Sequence, residues 1–142
     1  MRWLWFPMLA FFAYLAGEAA WEGRYWLAVV YAVVGGGLTY WLSPWQGGKT
    51  LRHEEVSAMS DSEREVVVYW RPGCAYCMRL KSSLGDLRDK VLWVNIWQDD
   101  DAAAFVRSVN DGNETVPTVV IDGEPHTNPD PGAVRERLEA LT

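Results

Sequence analysis

At 142 residues and a formal net charge of −6, the chain has room for one domain of moderate size and no Lys/Arg stripe with which to hold a nucleic acid. Two cysteines exclude a disulfide-dense secreted scaffold. Six of the nine tryptophans fall in the first 45 residues, where Arg2 and Arg24 balance Glu18 and Glu22, so the net negative charge belongs to the remainder.

From Trp3 to Ala16 every residue is apolar or aromatic, and Gly17 extends the run to Glu18. A second uncharged run covers Tyr25 to Leu42, interrupted only by Gly35-Gly36-Gly37 and Thr39. An 18-residue helix spans about 27 Å, at the short end of what crosses a hydrocarbon core. Trp3, Trp5, Trp21, Trp26, Trp41 and Trp45 lie at or near the run ends, as in the aromatic belts of membrane interfaces. A buried hairpin of a soluble protein is the alternative, but too little chain remains to cover it. The first run also has features of a cleaved signal peptide, with Arg2 before it and Gly17, Ala19 and Ala20 after it. Residues 1–45 are read as a transmembrane hairpin whose Glu18 to Arg24 loop lies outside. Arg2 on one flank, and Lys49 and Arg52 on the other, then put the rest of the chain on the cytoplasmic side of the cell membrane.

Ser43-Pro44-Trp45-Gln46-Gly47-Gly48 ends the second run with turn residues, and the polar stretch to Glu65 carries Arg52, Glu54, Glu55, Asp61, Glu63 and Arg64. Residues 46–64 read as a linker, a tether or a short solvated helix, with His53 on its surface.

The remainder, residues 65–142, alternates in period. Val66 to Tyr69 is a strand. Cys77, Leu80, Leu84 and Leu87 recur at helical spacing, a helix running to about Asp86 or slightly beyond, and Val91 to Trp97 is a second strand. Asp99, Asp100 and Asp101 cap and charge a helix whose apolar face is Ala102, Phe105, Val106 and Val109, closed by the turn residues Asn110 to Asn113. Pro117 to Ile121 is a third strand, Asp122-Gly123 a hairpin turn, and Glu124 to His126 a fourth strand. Asn128-Pro129-Asp130-Pro131 starts a last helix that faces Val134, Leu138 and Leu141 inward. The order is βαβαββα.

The chemistry-bearing stretch is Trp70 to Cys77, with Cys74 and Cys77 at C-x-x-C spacing between the first strand and first helix. Residues i and i+3 share a helix face, a separation that suits a disulfide. A thiol at the helix N-terminus meets unpaired N–H groups and the positive end of the dipole, which favour the thiolate. Cys74 is therefore the expected nucleophile and Cys77 the resolving thiol, with Arg71 a further source of positive potential. Zinc is the structural alternative, but His53 and His126 lack finger-like spacing from the cysteines. An inert structural disulfide is another.

The blocks Cys74-Ala75-Tyr76-Cys77-Met78-Arg79-Leu80-Lys81, Ala102 to Asn113, Thr115-Val116-Pro117-Thr118-Val119 and Thr127-Asn128-Pro129, in this order, resemble the glutaredoxin family of the thioredoxin superfamily. Within it they resemble most the mycoredoxins, actinobacterial proteins that work with mycothiol in place of glutathione. The resemblance covers about Val66 to Leu141 and implies a thioredoxin-like α/β fold. It also implies a cis Val116–Pro117 bond facing Cys74, with Thr115, Val116 and Pro117 offering backbone groups to a thiol substrate. Tyr76 is placed beside the substrate thiol, and Thr127, Asn128 and Asp130 in the loop that holds the ligand; helix capping is the other reading of these three. Ala75 stands where proline is common between such cysteines, so the redox poise does not transfer. The hydrophobic hairpin is absent from small soluble mycoredoxins, which points to partners at the membrane.

The expectation is a membrane-anchored thiol–disulfide oxidoreductase acting on mycothiol-protein mixed disulfides or protein disulfides. Mycothiol or a related low-molecular-weight thiol is its co-substrate, with no metal or organic cofactor. The rivals are an outward-facing oxidant of secreted proteins and a non-enzymatic module, either a redox sensor or an iron–sulfur site.

Overall fold

The computed structural model describes residues 3–60 and 63–141, so Arg2 and Asp61, both used above, lie outside the described residues. The chain divides into two compact units, Met1–Gly48 and Lys49–Thr142.

In the first unit, helices α1 (Trp5–Trp21) and α2 (Tyr25–Trp41) pack against each other. Small residues make the contact: Ala19 and Gly35 are buried, and a Cβ built on Gly35 would collide with the Phe12 side chain. The expected Glu18 to Arg24 loop is shorter than read, because α1 continues through Glu18 and the two alanines after it. Only Glu22 to Arg24 turn the chain, with Gly23 at φ +76°. No helix among the described residues is long and apolar enough to cross a membrane. This corrects the reading of two spans. Each helix has 17 residues, or about 25 Å at the α-helical rise, against a hydrocarbon core of about 30 Å.

The second unit is built on a four-stranded sheet. Its strands are β1 (Val66–Trp70), β2 (Leu92–Asn95), β3 (Thr118–Ile121) and β4 (Glu124–Thr127), in the order β2-β1-β3-β4. β1 pairs parallel with β2 and antiparallel with β3, and β3 antiparallel with β4, so the sheet is mixed. β1 lies inside the sheet and is buried on both faces, which is why it reads as a continuous apolar run. Its side chains alternate between two cores. Val67 and Tyr69 join Val94, Ile96, Ala102, Ala103 and Val106, beneath α5 (Asp100–Val109). Val66 and Val68 join Leu80, Leu84, Val134 and Leu138, beneath α4 (Ala75–Leu84) and α6 (Pro131–Ala140). This is a thioredoxin-like α/β fold.

Strand ends shift by single residues at β1, β3, β4 and the start of β2, and three larger differences from the sequence reading stand beside them. α4 stops at Leu84, and a 3-10 helix covers Gly85–Lys90, entered through Gly85 at φ +53°. β2 ends at Asn95 because the Asn95 Oδ1 accepts the Trp97 N–H at 2.9 Å and turns the chain. The segment read as a tether or a short solvated helix does form a short helix, α3 (His53–Ser57), but it packs on the domain and is not simply solvated. Thr50 Oγ1 donates to the Trp93 carbonyl at 2.6 Å and accepts the Asn95 N–H at 3.0 Å, so it occupies the open edge of β2. The His53 N–H donates to Asp99 Oδ2 at 2.6 Å, and Val56 is buried among the residues beneath α5.

Candidate active site

β1 delivers the chain to Trp70, and Gly73, at φ +72°, makes the turn that a Cβ would strain. Cys74 then serves as the N-cap of α4. Its Sγ accepts the Cys77 N–H at 3.1 Å, and its carbonyl accepts the Met78 N–H at 3.1 Å. Cys74 and Cys77 form a disulfide, their Cα atoms 5.3 Å apart. Both are buried, Cys74 at 8 % exposure and Cys77 at 3 %.

The Val116–Pro117 bond is cis, as the resemblance implied. Its loop faces the cysteines, with the Val116 carbonyl oxygen 3.5 Å from Cys74 Sγ. In the disulfide that sulfur has no proton to donate, so this is a contact. In the reduced protein two groups compete for it: the carbonyl accepts from the thiol, and the Cys77 N–H stabilises the thiolate. The α4 dipole adds to the second. Among the described residues the Val116 N–H has no acceptor, which leaves it available to an incoming disulfide.

The other expected residues divide by what already holds them. Arg71 is half-buried, its guanidinium carbon 5.9 Å from the Trp97 ring centre. Tyr76 is 60 % exposed, and Met78, which sequence reasoning did not single out, is also exposed. The Thr115 carbonyl accepts from the Thr118 hydroxyl at 2.8 Å. The Thr127 hydroxyl is bonded to Asn110 Oδ1, and the Asn128 N–H donates to the Pro117 carbonyl at 2.8 Å. Asp130 accepts the Gly132 and Ala133 N–H groups at 2.9 and 3.2 Å, the N-cap of α6. Cys74, Cys77, Val116 and Pro117 thus meet, while the Thr127 and Asp130 side chains are spent on holding the fold.

Sequence reasoning also passed over Asn110, read only as a turn residue. It is buried, and its Nδ2 donates to the Val106 carbonyl at 2.7 Å and to Thr118 Oγ1 at 3.0 Å. It thereby ties the end of α5 to the strand that carries the cis-proline loop. On the opposite side, burial together with the Asp99 carboxylate pushes the Tyr69 phenol up to about 12. That hydroxyl, 2.8 Å from His53 Nδ1, therefore keeps its proton at neutral pH.

The glutaredoxin family model matches residues 66–126, which include both cysteines and the cis-proline loop. Mycoredoxin 1 of Corynebacterium glutamicum is 40% identical over 77 residues, 54% of this chain and 95% of the relative. A candidate glutaredoxin of Mycobacterium tuberculosis strain H37Rv is 43% identical over 74 residues, 51% of this chain and 88% of the relative. The chain belongs to the glutaredoxin family. Its Cys74–Cys77 pair is the redox centre of a thiol–disulfide oxidoreductase. The family's partners, a low-molecular-weight thiol and protein disulfides, suit a glutaredoxin site with its disulfide at a helix start and an unpaired backbone donor in the facing loop.

Proposed function

We propose that this glutaredoxin reduces mixed disulfides between proteins and mycothiol at the cytoplasmic face of the cell membrane, with its N-terminal hairpin as the anchor. The Cys74 thiolate attacks the mycothiol sulfur, the old S–S bond breaks, and the protein leaves as a thiolate that takes a proton. Cys74 is then joined to mycothiol. Either a second mycothiol thiolate attacks the bound mycothiol sulfur, releasing mycothiol disulfide and the Cys74 thiolate, or Cys77 attacks Cys74 and releases mycothiol. The second route leaves the Cys74–Cys77 disulfide, which two further thiols reduce. Exchange needs only an accessible thiolate, in-line approach and a good leaving thiol, so no metal or organic cofactor takes part.

The observation that carries this reading is the Cys74 sulfur at the start of α4, with the Cys77 N–H on it and the Val116 loop across from it. The likeness to mycoredoxin 1 supports mycothiol over glutathione. Anchoring is supported by the apolar side chains that both helices turn outward, among them Phe11, Tyr14, Val29 and Val33. The substrates then include oxidised or mycothiolated membrane proteins.

The test is turnover of a mycothiolated protein by the full chain in detergent, with mycothiol and with glutathione in parallel. Cys74→Ser is expected to abolish turnover and Cys77→Ser to retain the monothiol route; a Cys74→Ser protein with wild-type turnover would end the assignment. Alkaline carbonate extraction of cell membranes reads the anchor. Labelling of Cys74 in intact cells by an impermeant thiol reagent would reverse the topology and favour an outward-facing oxidant.

A further inference from the structure

The guanidinium of Arg71 has no hydrogen-bond or carboxylate partner among the described residues; what lies against it is the indole of Trp97. The two side chains leave from adjacent strand ends. Trp70 stands opposite Asn95 in the parallel β1/β2 pair, and the Ile96 N–H donates to the Trp70 carbonyl at 3.0 Å. Arg71 and Trp97 each follow that last cross-strand bond by one residue, at the end of the sheet where Cys74 sits.

The loop that presents Trp97 is firmly made. Asn95 is fully buried; its Oδ1 takes the Trp97 N–H at 2.9 Å, its carbonyl takes the Gln98 N–H at 3.0 Å, and its own N–H donates to Thr50 Oγ1 at 3.0 Å. The Trp97 backbone is therefore placed by a satisfied buried network, and its side chain packs against the core beneath α5. An arginine side chain alone spreads over many rotamers. An indole ring beneath the guanidinium restricts them, and it takes up none of the N–H donors as a conventional acceptor would.

We infer that Trp97 is a positioning residue for the small-thiol half of the substrate: it holds Arg71 so that the guanidinium donates to acceptor oxygens of the group joined to Cys74. This deepens, and rests on, the proposed action on small-thiol mixed disulfides. The ligand chemistry is an oxygen-rich small thiol, whose acceptors are hydroxyls in mycothiol and carboxylates in glutathione.

Steady-state kinetics of the full chain test this with both mixed disulfides, and the arm with the larger effect shows which acceptor Arg71 meets. Trp97→Ala is expected to raise KM about three- to tenfold with kcat within about twofold. Arg71→Gln should do the same, and the double variant should be no worse than Arg71→Gln alone, because the ring acts through the guanidinium. Trp97→Phe keeps a ring face and should stay near wild type. Should Trp97→Ala fail to fold, Trp97→Leu, with apolar bulk but no ring face, is expected to give the same KM rise. Unchanged KM, or losses that simply add in the double variant, would overturn the inference and leave the proposed function standing. A wild-type protein that turned over neither mixed disulfide would overturn both.

Discussion

In the redox domain Val68, Val94 and Val119 are fully buried, while in the hairpin Val29 is 61 % exposed and Val33 69 %. The same residue type is used in opposite ways. The domain hides its large side chains under helices on both faces of a sheet and shows water its charges. The hairpin hides small residues, Ala19 and Gly35, between its helices and turns its large side chains out. Helices packed through small residues, with bulk facing outward, leave an apolar surface for the proposed anchor to use. Sheet and helices closed over valine and leucine suit water.

The largest expected effect separates the two units physically. A fragment beginning at Lys49 should be soluble, folded and redox-active without detergent, whereas the full chain should need detergent or lipid to stay dispersed; gel filtration and circular dichroism check both. A fragment beginning at Glu65 sharpens the point. It lacks the Thr50 bonds to β2, the His53 bond to Asp99 and the buried Val56, so it should unfold at clearly lower urea than the Lys49 fragment. Equal midpoints would show that the segment before β1 is only a tether.

Next in size is Leu80→Ala in α4, fully buried against β1. Removing those atoms from a closed core typically costs about 2 to 5 kcal/mol, read as a fall in the urea midpoint of the Lys49 fragment. The hairpin counterpart is the reverse change, Gly35→Leu. Its Cβ would overlap Phe12, and overpacking of this kind costs about 1 to 3 kcal/mol. It should weaken association of the two helices, measured by energy transfer between their ends in micelles, and leave the domain's midpoint where it was. A loss of domain stability in Gly35→Leu would mean that the two units do not fold independently.

What the sequence made legible follows the range of the interactions. β1, α4 and the cysteine pair were readable because their signals are local: a valine run, helical spacing from Cys77, and C-x-x-C after a strand. The cis-proline loop was readable only through resemblance, since spacing alone leaves Pro117 free to begin an edge strand. The end of β2 was misread because Trp97 continues an apolar run, while the Asn95 side chain that stops the strand gives no periodic signal. Asn110 looked like any turn residue; its bond to Thr118 depends on where β3 comes to lie. The packing of residues 50–56 was hidden for the same reason. Thr50 meets Trp93 and His53 meets Asp99 across more than forty residues of sequence, and nothing near either position announces it.

The smallest expected effect lies at that same junction. Tyr69 is buried on β1, its hydroxyl 2.8 Å from His53 Nδ1 and its pKa raised from 10.0 to about 12 by burial and by Asp99. The folded state holds this proton more tightly than the unfolded state does. The corresponding stability is complete below pH 10.0 and is lost as pH rises toward about 12. Tyr69→Phe removes both the hydrogen bond, worth about 0.5 to 1.5 kcal/mol, and this alkaline loss. Urea midpoints of the wild-type and Tyr69→Phe forms of the Lys49 fragment should therefore differ most below pH 10.0 and converge as the pH climbs. The same wild-type loss should shrink in the Glu65 fragment, which has no His53 and exposes the phenol. A gap between the wild-type and Tyr69→Phe proteins that stayed constant through that window would mean that the hydroxyl already meets solvent, and that the segment before β1 does not seal this side of the domain.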